Sequence, residues 1–172
     1  VEDGRPTTNK NVVICEDHRL LKIDKLDNRV ISNEILSVIK KTIKKTKSDI
    51  IILADFRHGI FNESTIDQIV NSISKTAFKV ADSQVASRWG CITDFKKFDL
   101  LTPNEKEARF SIADQDSTVG KLSEKVRFKT KCKNLILKLG SKGVFCATSQ
   151  DLKNSYFSLD SFTDNSIDPV GA

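Results

Sequence analysis

The chain has 172 residues, of which 38% are hydrophobic and 30% are charged, and its formal net charge is +5. These values are typical of one folded, water-soluble domain and exclude both a disordered chain and a membrane-embedded one. No apolar run is long enough to cross a bilayer, so we expect no membrane partner. The lysines are spread along the sequence, and their one cluster falls on a predicted helix without interleaved aromatic residues, which argues against nucleic acid as a partner.

The four cysteines are far apart, at positions 15, 91, 132 and 146, and none belongs to a C-x-x-C pair. This spacing argues against a zinc site or a disulfide framework. We therefore expect reduced thiols and a cytoplasmic protein. The sequence contains no methionine, from which we expect it to be a piece of a longer chain.

Apolar periodicity divides the chain into a short β segment followed by alternating strands and helices. Residues 1–31 form a hairpin-like segment of alternating apolar and polar residues that could serve as a lid. Residues 32–172 predict helices that begin near Ser32, Asn62 and Glu105, and strands at residues 49–53, 78–81, 99–101, 134–139 and 144–148. Strands that alternate with helices indicate an α/β fold with a mainly parallel sheet.

Polar residues or glycine follow several of the predicted strands. Asp55, Asp82, Asn104 and Gly140 each come at or just after a strand end. Because ligands of such sheets bind outside the carboxyl ends of the strands, we expect these residues to border one crevice. Taken singly, each is more often a turn former or a helix cap.

Asn104 and Glu107 have the spacing of a capping box, in which each side chain accepts a hydrogen bond from the other residue's backbone N–H. A helix N-terminus also attracts phosphate, and a carboxylate there can hold a hydrated Mg²⁺. The turn at residues 140–143 is a weaker signal, since it matches neither the P-loop nor the dinucleotide-binding pattern. His18 and His58 have no serine or cysteine partner at suggestive positions, which leaves a hydrolytic triad without support.

Three segments, taken in order, resemble the PfkB (ribokinase-like) carbohydrate kinases. Residues 101–107 (Leu-Thr-Pro-Asn-Glu-Lys-Glu) resemble that family's T-P-N-x-x-E segment, residues 137–143 resemble its nucleotide-lining strand–turn–strand, and residues 168–172 resemble the start of its D-x-x-G-A-G-D signature. The resemblance implies a three-layer αβα fold with a mainly parallel sheet and a small β-hairpin lid at the N-terminal end. It also implies ATP and Mg²⁺ as cofactors, and transfer of the γ-phosphoryl group to a sugar hydroxyl.

Within this family the chain is most similar to the kinase module of bifunctional ADP-heptose synthases. Residues 5–10 (Arg-Pro-Thr-Thr-Asn-Lys) resemble its R-P-T-T-x-K segment, and residues 52–59 (Ile-Leu-Ala-Asp-Phe-Arg-His-Gly) resemble its L-L-S-D-Y-G-K-G. His58 stands where that pattern has lysine, and residues 81–84 replace a D-P-K type of sequence. Both changes fall near the crevice, so a heptose 7-phosphate and a free heptose both remain open as the substrate.

The resemblance implies roles for individual residues. Gly171 and Ala172 would form an anion hole, with the catalytic Asp just beyond Ala172, so the 172 residues alone are expected to be inactive. Arg5, Lys10 and Asp55 would lie on the sugar side. The residues that would border the nucleotide and its metal are Asn104, Glu107, Lys138, Gly140, Lys142, Gly143 and Asp168. Among these, Glu107 would hold Mg²⁺ through water.

The same resemblance implies several partners. These are a sugar or sugar-phosphate substrate, a second copy of the chain in a homodimer, and a fused nucleotidyltransferase domain outside this sequence. Two other classes of protein stay open. A non-catalytic nucleotide-binding or dimerisation module could keep the same fold, and a different Rossmann-like enzyme could use the same crevice.

Overall fold

The computed structural model describes residues 4–16, 18–84, 92–150 and 153–162. Its helices and strands are, in chain order, β1 (Asn9–Cys15), β2 (His18–Lys25), α1 (Asn33–Lys45), β3 (Ile50–Asp55), α2 (Glu63–Val70), β4 (Phe78–Ser83), β5 (Leu100–Leu101), α3 (Glu105–Ile112), α4 (Val119–Thr130), β6 (Asn134–Lys138), β7 (Val144–Gln150) and β8 (Lys153–Leu159). β1 and β2 form a separate hairpin, and the other six strands form one sheet. Within the described ranges, every helix is too short or too polar to cross a membrane.

The six-stranded sheet has the order β3-β4-β5-β6-β7-β8. Its first four strands run parallel, and β7 and β8 are added antiparallel at one edge. This topology confirms the predicted α/β fold with a mainly parallel sheet and a separate hairpin near the N-terminus. The short strand β5 lies inside the parallel part and carries Leu101, which is fully buried.

Sequence patterns located most of these elements but missed two. The prediction ended the sheet at residues 144–148, whereas the structure adds β8 as the edge strand. No buried apolar run marks β8, because its side chains at residues 155–159 are all exposed. The helix α4 is absent from the prediction because half of its buried side chains are polar, which interrupts the apolar period.

Side-chain caps fix where α1 and α2 begin, near Ser32 and Asn62 as the sequence predicted. Ser32 Oγ accepts a hydrogen bond from Ile35 N (3.3 Å) before α1. Asn62 Oδ1 accepts hydrogen bonds from Ser64 N and Thr65 N before α2, and Thr65 Oγ1 accepts one from Asn62 N in return. Each bond satisfies a backbone donor that the helix itself leaves without a partner.

The core lies on one face of the six-stranded sheet. The strands contribute alternate residues to it, and all four helices pack buried side chains against those residues. The strand residues are Leu53, Ala81, Leu101, Leu135 and Leu137, and the helix residues include Leu36, Ile66, Ile69, Ala108, Leu122 and Val126. The parallel connections from β3 to β6 all step in the same direction across the sheet, and crossovers of one hand then place their helices on the same side.

The opposite face of the sheet is apolar and partly exposed. Ile50, Ile52 and Phe78 lie on it, and they are 58%, 65% and 40% exposed. Because side chains alternate along a strand, these residues share a face that none of the described helices covers. In the described part of the chain, the predicted three-layer fold is therefore represented by the sheet and one layer of helices.

An aromatic cluster anchors the segment between β4 and β5 to this core. Phe95 and Phe98 are fully buried, and their rings meet edge to face with centroids 5.5 Å apart. Phe61, which precedes α2, packs on Phe95 in the same manner at 5.8 Å. Edge-to-face pairs of this kind stabilise a fold beyond the apolar area that they bury.

Replacing Phe95 with Ala should lower the free energy of unfolding by about 3–5 kcal/mol, because the change removes a buried ring and leaves a cavity. Phe128→Ala is the matched control. Phe128 is 87% exposed, so its loss should cost less than about 0.5 kcal/mol. Urea unfolding followed by circular dichroism measures both values, and equal destabilisation of the two variants would contradict this core.

Candidate active site

The carboxyl ends of the parallel strands meet at one edge of the sheet, and contacts between residues link them. Asp55, at the end of β3, accepts a hydrogen bond from Ser83 Oγ at the end of β4 (2.9 Å). The neighbouring Asp82 pairs with Lys138 at the end of β6. Lys138 in turn forms a parallel backbone bridge with Asn104, which follows β5. The structure therefore brings three of the predicted strand-end residues, Asp55, Asp82 and Asn104, to one edge of the sheet.

Asn104 and Glu107 form a reciprocal cap at the start of α3. Asn104 Oδ1 accepts a hydrogen bond from Glu107 N (2.8 Å), and Glu107 Oε2 accepts one from Asn104 N (2.7 Å). Glu107 is 6% exposed. A buried carboxylate and a helix N-terminus thus lie at this edge, next to Lys138. Their contact with Mg²⁺ and phosphate stays a prediction.

Lys138 and Asp82 form an ion pair that the sequence did not predict. Lys138 Nζ lies 3.2 Å from Asp82 Oδ1 and 3.1 Å from Oδ2. The two side chains are 44% and 30% exposed, so solvent screens the pair and its contribution to stability is small. A strand-end aspartate is visible in the sequence, but its pairing with a lysine 56 positions away depends on the order of the strands.

Asp55 is buried, and both of its carboxylate oxygens are engaged within the protein. Oδ1 accepts a hydrogen bond from Arg57 N (2.7 Å). Oδ2 accepts hydrogen bonds from Arg57 Nη1 and Ser83 Oγ, each at 2.9 Å. The carboxylate therefore anchors the loop that follows β3, and its predicted contact with a sugar stays a prediction.

Arg57 adopts a left-handed backbone conformation, with a φ of +62°. Glycine takes this conformation without strain, and the heptose-synthase pattern has glycine at this position. In this chain the hydrogen bonds to Asp55 hold Arg57 in place, and its guanidinium forms a salt bridge with the same carboxylate. Sequence reasoning missed this pair. The departure from glycine at position 57 was the signal that could have found it.

The turn between β6 and β7 is built on backbone that favours glycine. It is one 3₁₀ turn, Gly140–Lys142, closed by a hydrogen bond from Gly143 N to Gly140 O (3.0 Å). Gly140 and Gly143 have φ values of +63° and +79°. A Cβ on Gly143 would lie 2.0 Å from the carbonyl oxygen of Leu159 in β8. Lys142 is exposed on this turn, and its predicted place beside a nucleotide stays a prediction.

Arg5 and Lys10 join the base of the hairpin to the loop after β3. Arg5 Nη1 donates a hydrogen bond to His58 O (3.3 Å). Lys10 Nζ lies 5.9 Å from the centroid of the Phe56 ring, within the range of a cation–π contact. Both residues therefore contact the loop that Asp55 anchors, and their contact with a sugar stays a prediction.

The remaining predicted residues, Asp168, Gly171 and Ala172, lie outside the described part of the chain. Within the described ranges, no group of three or more His, Cys, Asp or Glu side chains is arranged to hold a metal ion. Glu107 offers one buried carboxylate at a helix N-terminus. This donor set suits Mg²⁺, which proteins often hold with one or two carboxylates, water and the phosphates of a substrate.

The architecture is that of the ribokinase-like kinases. It matches the ribokinase of Arabidopsis thaliana complexed with ribose and ATP with a TM-score of 0.62 and 18% identity, over 92% of this chain and 50% of that one. It matches phosphofructokinase-2 of Escherichia coli in complex with fructose-6-phosphate with a TM-score of 0.61 and 13% identity, over 81% of this chain and 46% of that one. The chain thus has a ribokinase-like fold and spans about half the length of these kinases.

The sequence itself is similar to proteins named bifunctional protein HldE, although no protein-family model matches the chain. It is 29% identical to the protein of Sulfurimonas denitrificans over 113 residues and 31% identical to that of Aliarcobacter butzleri over 140 residues. These matches cover 63% and 77% of this chain but 22% and 28% of the relatives, so the chain spans less than a third of their length. The resemblance predicted from the motifs is confirmed: the chain is a relative of the HldE proteins with a ribokinase-like fold.

Replacing Gly143 with Ala should lower the free energy of unfolding by about 2–4 kcal/mol, because the new Cβ meets the backbone of β8 and the φ value is strained. Gly120→Ala is the matched control. Gly120 lies in α4 with open space at its Cβ position, so alanine there should stabilise the fold by about 0.5–1 kcal/mol. Urea unfolding measures both, and a neutral Gly143→Ala variant would contradict the turn described above.

Proposed function

We propose that this chain is the nucleotide-binding part of an ATP-dependent carbohydrate kinase in the cytoplasm. Residues 32–172 form the α/β part that binds the nucleotide, and residues 1–31 form the hairpin lid. The enzyme transfers the γ-phosphoryl group of ATP to a hydroxyl of a heptose or a heptose 7-phosphate. The ribokinase-like fold and the similarity to HldE proteins support this proposal.

The observation that carries this proposal is the position of the N-terminus of α3. The reciprocal cap of Asn104 and Glu107 lies at the carboxyl edge of the parallel strands, beside Lys138. A helix N-terminus attracts anions through its backbone N–H groups and its dipole, and the lysine adds a positive charge. Sheets of this kind bind ligands at that same edge. These features together favour a polyphosphate ligand.

On this proposal the chain acts by positioning and by balancing charge, without forming a covalent intermediate. Glu107 would hold a hydrated Mg²⁺, which would supply positive charge to neutralise the phosphates. Asn104 keeps Glu107 in place through the reciprocal cap. Lys138 exchanges its exposed pairing with Asp82 for phosphate oxygens, which costs little because that pair is solvent-screened.

The rest of the machinery follows from the sequence resemblance. Gly140, Lys142 and Gly143 border the nucleotide. Gly171 and Ala172 offer backbone N–H groups to the charge that develops on the transferred phosphoryl group. The general base would be the Asp that ends the signature beginning at Asp168, expected two residues beyond Ala172, and it would accept the proton of the sugar hydroxyl. Arg5, Lys10 and Asp55 belong to the sugar side.

A heptose is the acceptor that the resemblance favours. The segments at residues 5–10 and 52–59 resemble the kinase module of ADP-heptose synthases, and the relatives are named bifunctional. A fused nucleotidyltransferase domain would supply the second activity of such a protein. The change at His58 lies in the loop that Arg5 contacts, so this loop bears on the choice between a heptose 7-phosphate and a free heptose.

ADP release by the complete gene product tests the proposal. The acceptors are heptose 7-phosphates, free heptoses, hexoses and ribose, each with and without Mg²⁺. Mg²⁺-dependent release with one heptose acceptor is the expected result. ATP binding without release for any acceptor would favour a non-catalytic module, and binding of a nicotinamide or flavin dinucleotide would favour a different Rossmann-like enzyme.

Glu107→Gln should lower kcat/KM by about 10- to 100-fold and raise the Mg²⁺ concentration needed for half-maximal rate, because the side chain keeps its cap but loses its charge. Glu105→Gln is the matched control. Glu105 lies in the same helical turn and pairs with Arg109, so its change should alter the rate by less than about threefold. Equal losses in the two variants would rule out a particular role for Glu107.

We also expect the complete protein to form a homodimer through the hairpin. All described residues of β1 and β2 are exposed, including Val13 and its cross-strand partner Leu21. Two-stranded hairpins are marginally stable in water, and exposed apolar strands tend to pair with another chain. The expected occupant of this surface is therefore a second hairpin.

Leu21→Lys should convert the dimer to a monomer in sedimentation analysis, because it places a charge in the apolar contact. Val38→Lys is the matched control, since Val38 is exposed to a similar degree on α1. Loss of the dimer in both variants, or in neither, would refute the hairpin as the contact.

A further inference from the structure

Arg5 lies just before the hairpin, and its guanidinium donates hydrogen bonds to four backbone carbonyls. Nη2 donates to Arg29 O (2.9 Å) and Val30 O (3.2 Å). Nη1 donates to Asp27 O (3.4 Å) and His58 O (3.3 Å). Those of Asp27, Arg29 and Val30 belong to the segment that leaves the hairpin, which we call the exit segment. The fourth, that of His58, belongs to the loop after β3. One side chain therefore joins the entry of the hairpin, its exit and the edge of the candidate site.

Two further contacts join the exit segment to the loop after β3. Ile31 N donates a hydrogen bond to Gly59 O (3.1 Å). Gly59 has a φ of +91°, and a Cβ on it would lie 1.9 Å from Arg29 O. The exit segment therefore packs directly against the backbone of the loop at Gly59, where a side chain would not fit. The same loop carries Phe56, which lies beneath Lys10 of β1.

The exit segment is itself braced by the pair of Asp27 and Arg29. The Asp27 carboxylate accepts hydrogen bonds from Arg29 N, Nε and Nη2. These bonds lower the pKa of Asp27 to about 2, so the carboxylate is charged at neutral pH. The brace orients the carbonyls of the exit segment toward Arg5. Beyond this base, β1 and β2 are exposed along their described length, so within one chain the contacts at the base determine where the hairpin lies.

We propose that Arg5 is a positioning residue that clamps the hairpin onto the loop after β3 and so sets how the acceptor sugar enters the strand-end crevice. The kinetic part of this inference rests on the proposed kinase function, whereas the clamp does not. A guanidinium suits the task because its planar fork presents five N–H donors in fixed directions. An ammonium has three donors on a flexible stem and serves fewer of the four carbonyls.

Hydrogen–deuterium exchange on the complete gene product tests the clamp without any assay of activity. In Arg5→Ala, the amides of residues 9–25 should exchange at least about tenfold faster than in the wild type, because their tie to the loop is lost. Arg5→Lys should give a smaller increase. Arg19→Ala is the matched control, since it removes an arginine at the far end of the same hairpin, opposite Ile14. Exchange in β3, β4 and β6 should be unchanged in all three variants.

Steady-state kinetics then tests the positioning role. Arg5→Ala should raise the KM for the acceptor sugar by about tenfold, with kcat and the KM for ATP changed by less than about threefold. Arg5→Lys should restore part of the acceptor KM. A merely structural role would instead lower the apparent kcat through loss of folded enzyme and leave both KM values unchanged, with faster exchange in the core strands.

Each outcome of these measurements bears on the proposal. Unchanged exchange of the hairpin in Arg5→Ala would overturn the clamp. Faster exchange with an unchanged acceptor KM would overturn the positioning role, and faster exchange throughout the core would overturn both. If the wild-type protein phosphorylates no acceptor, the proposed function fails, and the exchange measurement still decides whether Arg5 holds the hairpin.

Discussion

The alternation of side chains along β3 and β4 is the constraint on which the rest of the structure depends. Successive residues of a strand point to opposite faces, so burying Leu53 and Ala81 under the helices also buries Asp55 and Ser83, two residues further on. The same alternation places Ile50 and Ile52 on the open face. The strand register that buries the apolar residues therefore also determines which polar side chains lie at the edge of the sheet, and on which face of the sheet they lie.

The candidate site is a consequence of that edge and of the caps that begin there. The parallel register of β4, β5 and β6 brings the ends of three strands together. Residues at or just beyond these ends are in contact through the ion pair of Asp82 and Lys138 and the backbone bridge of Lys138 and Asn104. The reciprocal cap of Asn104 and Glu107 both starts α3 and brings a carboxylate to this edge. One geometry thus meets a folding requirement and forms the helix start that we propose as the place for a charged ligand.

The loop after β3 connects the site to the hairpin. Asp55 holds its first residues through Arg57, and Gly59 permits the close approach of the hairpin exit. Arg5 reaches this loop from a position more than 50 residues earlier in the sequence. The hairpin has no apolar core of its own, and its orientation is therefore set by hydrogen bonds to backbone carbonyls at its base. A polar clamp of this kind can fix the direction of a segment that hydrophobic burial does not hold.

The sequence by itself determined the class of fold, the helix starts near Ser32, Asn62 and Glu105, and the pairing of Asn104 with Glu107. The helix starts and this pairing depend on residues within a few positions of each other. It also located the ordered motifs that resemble the carbohydrate kinases. It missed α4 and β8, whose polar and exposed side chains carry no apolar period. The tertiary structure alone decided that Lys138 meets Asp82, that Asp55 accepts a hydrogen bond from Ser83, and that Arg5 binds the loop after β3. The strand-to-strand and hairpin-to-loop contacts among these join residues far apart in the chain, and only the strand order and register bring them within hydrogen-bonding distance.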